Sequence, residues 1–415
     1  MKNIKIFTLS FFLMNVSLFS QELNHEIKFF ANIINKGSWW YENNNYGKNI
    51  SENEMNYIYH KEDLKTTYHA EISNAYTSNE KFSFGQTYIK HAINDNTFIR
   101  LGKYYRDFSL YLNDSLTTGS MLVSKNAQPI PKIGVVSKYN LKNNSIYFDF
   151  GIAHGYFDKN EAYKQGPFLH EKFIYINFKK NDRKIVLGFV HDAMWGGDTV
   201  KQGKLPSSFK DFLKVFIADD GPFNPNGFHQ NAIGNHLGIW DFYFEKVNYK
   251  KKLKLYYQHF FEDTSSLRFA NKTDGLWGIE MENFLPETKI LIEYLTTKNC
   301  CIDPPYQDDD YYGNYQYIRG WRYKNHIVGN PLVNTLPASN SWSVADKNRE
   351  LVSVINFGLE GKLLDGYYQI QAFKSINMRD DIRYKIVLSR EMIYNVNFNF
   401  LIANDMKAAG ISYAF

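Results

Sequence analysis

Cysteine is nearly missing from this chain, and the two that occur, Cys300 and Cys301, are neighbours. They cannot supply the spaced pairs of a zinc site or a disulfide framework, so two adjacent thiols are the expected state. Long apolar runs are missing too. Beyond residue 21 no stretch approaches the roughly 20 apolar residues that a membrane-spanning helix needs, and the mean hydropathy is −0.44. A helical membrane protein is excluded. Net charge is small, +5 over 415 residues, so nucleic acid is not indicated as a partner. No Pro/Gly/Ser-rich linker divides the chain and no repeat length recurs, which leaves one domain and argues against a solenoid or propeller.

The common enzyme signatures are also missing. There is no G-x-S-x-G elbow, Walker A loop, G-x-G-x-x-G or H-E-x-x-H; His25-Glu26 and His170-Glu171 both lack a second histidine four residues on. Neither a catalytic residue nor a cofactor or resident metal is expected. Paired carboxylates of the kind that cleave glycosidic bonds leave no linear signature. A secreted carbohydrate-active enzyme therefore stays open as a minor reading.

What the chain has in abundance is aromatic side chains: 31 Tyr, 33 Phe and 7 Trp, or 17% of residues. A transmembrane barrel spreads such residues over a lipid-facing band and two interfacial girdles without raising average hydropathy. The first residues, MKNIKIFTLSFFLMNVSLFSQE, have a basic start at Lys2 and Lys5, an apolar run from Ile6 to Phe19 and then Ser20. This reads as a secretory signal over residues 1–20, followed by the mature chain from 21 to 415.

Alternation is clearest near the end, where Val396, Phe398, Phe400 and Ile402 interleave with Asn395, Asn397, Asn399 and Leu401. Similar segments are KKLKLYYQHFF, HLGIWDFYF, TKILIEYL and IYFDFGIA. Periodicity alone leaves open whether the apolar face meets a soluble core or lipid. The chain ends with Ile411, Tyr413 and Phe415 on one face, the pattern by which terminal strands of outer-membrane barrels signal insertion, which implies barrel assembly machinery as a partner. We expect an all-β transmembrane antiparallel barrel of about 16–18 strands in the bacterial outer membrane, monomeric and surrounded by lipid, with surface-exposed loops.

One segment breaks the strand pattern. In LPSSFKDFLKVF the residues Phe209, Phe212, Leu213 and Phe216 fall at helical spacing, and Ser208 with Asp211 forms a capping-box pattern. The spacing predicts a short amphipathic helix, expected to pack into the barrel mouth or lumen, where long loops plug or cap the opening. Its short, mildly basic polar face makes a membrane-surface helix the second choice.

Three constellations suit sugar recognition. His191, Asp192 and Trp195 in FVHDAMWGGDT put an aromatic plate beside hydrogen-bonding groups and two glycines; a strand end whose Trp joins the aromatic girdle is the competing reading. The segment from Cys300 to Asn330 packs Tyr306, Tyr311, Tyr312, Tyr315, Tyr317 and Trp321 with Asp308 to Asp310, Arg319 and Arg322. Aromatic stacking and bidentate arginines there can grip an acidic polysaccharide. The three aspartates lack the spacing of a calcium loop and read as a solvated tip. Trp39, Trp40 and Tyr41 are expected to close an early strand as interfacial girdle.

Taken together, TTGSMLVSKNAQPIPKI, HDAMWGG with LPSSFKDFLKVF, NHLGIWDFYFE, GLWGIEMENF and YIRGWRYKNHIVGNPL resemble the Wzi-type capsule assembly proteins, in a form similar to those of the Bacteroidetes. The matching blocks run from about residue 98 to the C-terminus. The resemblance implies a plugged barrel of about eighteen strands that binds capsular polysaccharide or exopolysaccharide at the cell surface as a lectin, without enzymatic activity. It places the blocks with Trp195, Trp321, Arg322 and Asn330 at the extracellular mouth. Enterobacterial members carry a helical region before the barrel; here HEIKFFANII, residues 25–34, reads as strand almost at once. The alternative reading is a porin or oligosaccharide channel.

Overall fold

The computed structural model describes residues 24–415 except 36–38, 48–52, 76–81, 142–144, 220–231, 263, 300–310, 334–350, 377–381, 394 and 405. The expected signal over residues 1–20, Cys300, Cys301, Tyr306 and Asp308 to Asp310 lie outside the described residues.

Eighteen strands form one antiparallel sheet. They are β1 (Asn24–Asn35), β2 (Asn53–Glu62), β3 (Thr66–Ala75), β4 (Phe82–Asn94), β5 (Thr97–Lys103) and β6 (Pro131–Asn140). Next come β7 (Ile146–Tyr156), β8 (Phe168–Lys180), β9 (Arg183–Trp195), β10 (Asn235–Asn248), β11 (Lys251–Phe261) and β12 (Gly275–Glu282). The last six are β13 (Thr288–Thr296), β14 (Ser353–Leu363), β15 (Gly366–Ser375), β16 (Arg383–Ile393), β17 (Val396–Ala403) and β18 (Met406–Ala414). Each strand pairs with its neighbour in sequence, and β1 pairs with β18 from Glu26↔Ala414 to Asn35↔Met406, so the sheet closes on itself. Closure removes every free edge, the condition for a sheet to cross a membrane.

The side-chain period of two sorts residues to the two faces of the wall. On β17, Phe398, Phe400 and Ile402 are exposed on the outside, while Asn399 on the inside donates to Ser412 Oγ at 3.3 Å. The same outward rule holds for Phe150 and Ile152 on β7, Leu255 on β11, Ile292 and Tyr294 on β13, and Ile411 and Tyr413 on β18. The apolar face thus meets lipid, and the buried face meets a filled lumen. Phe415 lies past the end of β18, where its backbone exchanges two 2.8 Å hydrogen bonds with His25 and its ring stacks on the His25 ring at 5.2 Å.

Short turns join strands at the end that carries both termini, and the long connections all lie at the other, where only β17 and β18 are joined by as few as two residues. One long connection, residues 104–130, turns inward and packs into the lumen, burying Tyr104, Phe108, Leu116, Met121, Leu122 and Ile130. Loops therefore plug and cap the barrel as expected.

Two expectations need correction. Trp39 and Trp40 do not close a strand as girdle residues; they form a helical turn, α1 (Trp39–Glu42). Their rings pack edge-on against Phe373 of the inner wall at 4.7 and 5.5 Å, and Lys385 lies 4.7 Å over Trp40. Lumen filling, not lipid, claims these indoles. The predicted helix exists as α2 (Phe209–Ile217), with Ser208 and Asp211 in a reciprocal capping box and Ala218 left-handed at φ 53° as its C-cap. It packs outside the barrel rather than in its mouth. Phe212 meets His154, His170 and Trp195 at 5.2–5.5 Å, all on the outward face of β7, β8 and β9.

Candidate functional site

Polar side chains pointing inward from the wall hold the plug. Glu293 of β13 sits alone among apolar neighbours in ILIEYL, and period two turns it inward. There it accepts from Thr117 Oγ1 at 2.6 Å, Thr118 N at 2.8 Å, Tyr256 OH at 2.6 Å and Asn356 Nδ2 at 2.9 Å. Asp241 of β10 does the same in IWDFYF, accepting from Ser109 Oγ at 2.6 Å, Tyr175 OH at 2.8 Å and the Tyr111 hydroxyl. Gln258 donates to Ser109 Oγ, which bonds Asp241, and accepts from Met121 N, while Gln371 donates to the carbonyls of Leu116 and Thr117. Two buried ion pairs complete the frame, Lys132–Glu171 at 2.6 Å and Lys254–Glu280 at 2.7 Å. Each lysine also donates to a plug carbonyl, of Tyr105 or Tyr111. A buried carboxylate that accepts several hydrogen bonds is tolerated; the same group without partners is not.

On the long-loop side, residues 311–333 dock onto this plug. Asn330 donates to Thr118 Oγ1 at 3.1 Å and Gly119 O at 2.7 Å, and its own N–H donates to Tyr312 OH at 2.8 Å. Ser124 donates to Gly329 O at 2.6 Å, and Asn126 to Ile327 O at 2.9 Å. Trp321 is 2% exposed with its ring 6.1 Å from Phe157; Tyr317 is 1% exposed, packs on Tyr163 and donates to Gly196 O. A small sheet of Tyr163–Gln165, Asp198–Thr199 and Gly203–Lys204 braces the neighbouring loops. Together these loops make a cap over the plug.

The described loops of that cap carry more basic than acidic residues. The loops 157–167, 196–208 and 311–333 hold seven Lys and Arg against three Asp and Glu. Arg319 bonds Glu161 at 2.9 Å, both it and Arg322 are partly exposed, and Tyr315 of the same segment is exposed. Burial pushes the Arg322 guanidinium down to about 10, with repulsion from Arg319 adding to it, so it stays charged at neutral pH. Two partly desolvated cations close together attract an anion more strongly than either alone.

The expected site residues therefore separate. Tyr317, Arg319, Trp321, Arg322 and Asn330 come together in the cap, with the two arginines toward solvent and the other three buried as its support. His191, Asp192 and Trp195 do not join them. His191 and Trp195 point outward from β9, where His191 stacks on His236 of β10 at 5.0 Å and Trp195 is covered by α2, whereas Asp192 points inward and is 1% exposed. Alternation on β9 separates His191 from Asp192, and α2 covers Trp195 while His236 covers His191. Asp241, Glu293 and Gln258 were not singled out from the sequence. Their trace was there, a polar side chain on the inward phase of an otherwise apolar or aromatic strand.

A hollow lies at the short-turn end, a cavity of about 550 Å³ roofed by Asp107 to Tyr111 of the plug. Lys90, Arg100, Lys138 and Lys184 line it with Asp149, Tyr175 and Tyr243.

The model of the family described as capsule assembly protein Wzi matches residues 34–335, nearly three quarters of the chain. The chain belongs to the Wzi capsule assembly family. A solved structure of Wzi from Escherichia coli, described as an outer-membrane protein involved in group 1 capsule assembly and a carbohydrate-binding β-barrel, superposes with a TM-score of 0.63. The two share 13% identity over 94% of this chain and 84% of that one, a likeness of fold alone. A porin variant from Rh. blastica covers 95% of this chain and 99% of its own at 9% identity, with a TM-score of 0.40 that supports no inference about pores. No curated protein sequence matches the chain. Family and closed barrel together make this a protein of the bacterial outer membrane with surface loops.

Proposed function

We propose that this Wzi-family barrel binds capsular polysaccharide or exopolysaccharide at the cell surface and holds the polymer there without altering it. The observation that carries the reading is the pair of neighbouring cations Arg319 and Arg322 on a cap segment that also exposes Tyr315 and is anchored to the plug through Asn330. Guanidinium groups pair with uronate or other acidic groups in a bidentate way, and a tyrosine ring offers a face to a sugar ring. A rigid support lowers the ordering cost of binding a flexible polymer. The solved Escherichia coli Wzi, described as carbohydrate-binding, is consistent with that ligand class. The role is structural rather than catalytic, with Tyr317, Trp321 and Asn330 positioning the arginines.

Deleting the gene tests this directly. Polymer synthesis continues and the polysaccharide moves from the cells to the medium; unchanged retention on the cells would reject the reading.

A further inference from the structure

Helix α2 lies where lipid would be expected. Successive residues turn by 100°, so Phe212 and Val215 face the barrel, Phe209, Leu213 and Ile217 form a second apolar flank, and Lys210 with Lys214 form a third. The second flank is bare: Phe209 is 75%, Leu213 51% and Ile217 69% exposed. The wall below α2 carries Ile133, Phe150, Ile152, Ile174, Ile185 and Leu187, all exposed and outward. Water does not tolerate a continuous apolar face of that kind, and a bilayer does. The helix also sits near the long-loop rim, since it touches the last residues of β7 and β9 and the first of β8.

Beneath the helix is a groove of about 510 Å³ lined by Val135, Phe150, Ile152, Ile174, Phe189 and Phe216, with Lys172 as its only charged group among the described residues. Lys172 Nζ lies 4.2 Å over the Phe216 ring, at the junction of groove and helix. A lysine on the lipid-facing phase of a barrel strand is costly unless it snorkels to an interface or meets an anion.

We propose that α2 and the groove beneath it bind an anionic lipid, with an acyl chain along Phe150, Ile152, Ile174 and Phe216 and the phosphate at Lys172. Lys210 and Lys214, on the flank of α2 turned away from the wall, add to that positive charge on the headgroup side, Lys214 while 3.8 Å from Asp219. The apolar flank of Phe209, Leu213 and Ile217 completes the contact with neighbouring chains. Outward His154 and His170 hold the helix in place: Phe212 meets both rings, and Phe216 meets His170 at 5.3 Å. The site is independent of the polysaccharide surface, which lies on the cap.

Native mass spectrometry of the full purified chain in detergent, with phosphatidylglycerol or phosphatidylcholine added, tests the proposal. Wild type retains more phosphatidylglycerol, and Lys172→Gln lowers those adducts about fivefold, the effect of one basic residue at a membrane surface. Phosphatidylcholine adducts stay unchanged in that variant, while Phe216→Ser lowers both. Heat-dependent gel migration reports whether each variant is folded; if Lys172→Gln is not, Lys210→Gln with Lys214→Gln takes its place and loses the phosphatidylglycerol preference. Equal retention of the two lipids by wild type, or a preference that survives the charge substitutions, overturns the proposal.

Discussion

The two sides of the lumen are built differently. From β10 to β15 the wall sends Asp241, Lys254, Gln258, Glu293, Asn356 and Gln371 into the plug, and each makes a hydrogen bond to residues 109–121. From β17 through β18 to β4 the inner face mixes apolar residues such as Phe30, Leu401 and Met406 with polar ones such as Ser73 and Gln86, and a cavity of about 360 Å³ remains between it and Tyr46 and Lys125. One side anchors the plug, and the other closes the barrel around it. Strength of attachment therefore follows buried acceptors and not the amount of wall.

Substitutions on the two sides should separate accordingly. Glu293→Ala leaves two hydroxyls, an amide and a backbone N–H without their acceptor, and should cost about 3 kcal/mol in urea unfolding from detergent. The plug should loosen enough for the variant to conduct ions. Asp241→Asn keeps one acceptor but turns an amide donor toward hydroxyl partners; a loss of about 2 kcal/mol is expected by the same measurement. On the closing side, Ser412→Ala removes a single 3.3 Å contact with Asn399 and should cost under about 1 kcal/mol without conductance. A closing-side loss equal to that at Glu293 would break the comparison.

Arg319→Ala removes a partly exposed ion pair with Glu161, which is worth roughly 0.5 kcal/mol or less. Its stability effect should be near the limit of detection, while polymer retention falls, most in combination with Arg322→Ala. The smallest effect is a pH dependence within the plug. Burial opposes ionisation of Asp114, but Arg106 and Lys125 overcome it and hold the carboxyl below its ordinary value. A carboxyl lowered on folding contributes stability that is present above about pH 4 and lost as pH falls through the lowered value. Asp114→Asn should abolish that part of the acid dependence in unfolding measured from pH 6 to pH 2.

Much of the wall was legible because period two is a local property. Phe398, Phe400 and Ile402 mark the outside of β17 without any knowledge of its neighbours, and the pairing of β1 with β18 joins the two ends that the terminal aromatics and residues 25–34 announce. Ser208 and Asp211 likewise fix the start of α2. The partner of its apolar arc is a tertiary fact, however, and nothing local tells lumen from lipid. Trp39 and Trp40 failed for the same reason, since an indole fills a lumen as well as it anchors at an interface. In the cap, Arg319, Arg322 and Asn330 stand within one segment, so their proximity was readable. His191 and Trp195 looked equally suited to a sugar, and only the phase of β9, with His236 over one and α2 over the other, sets them apart. The role of Phe415 as an insertion signal remains a proposal, testable by deleting Phe415 and following the barrel's arrival in the outer membrane.

The plugged lumen is the basis on which the cap becomes a binding surface instead of the rim of a channel. Single-channel recording of the purified wild-type barrel in planar bilayers tests it most directly. The account predicts silence from wild type and discrete openings from Glu293→Ala; steady conductance from wild type would contradict it.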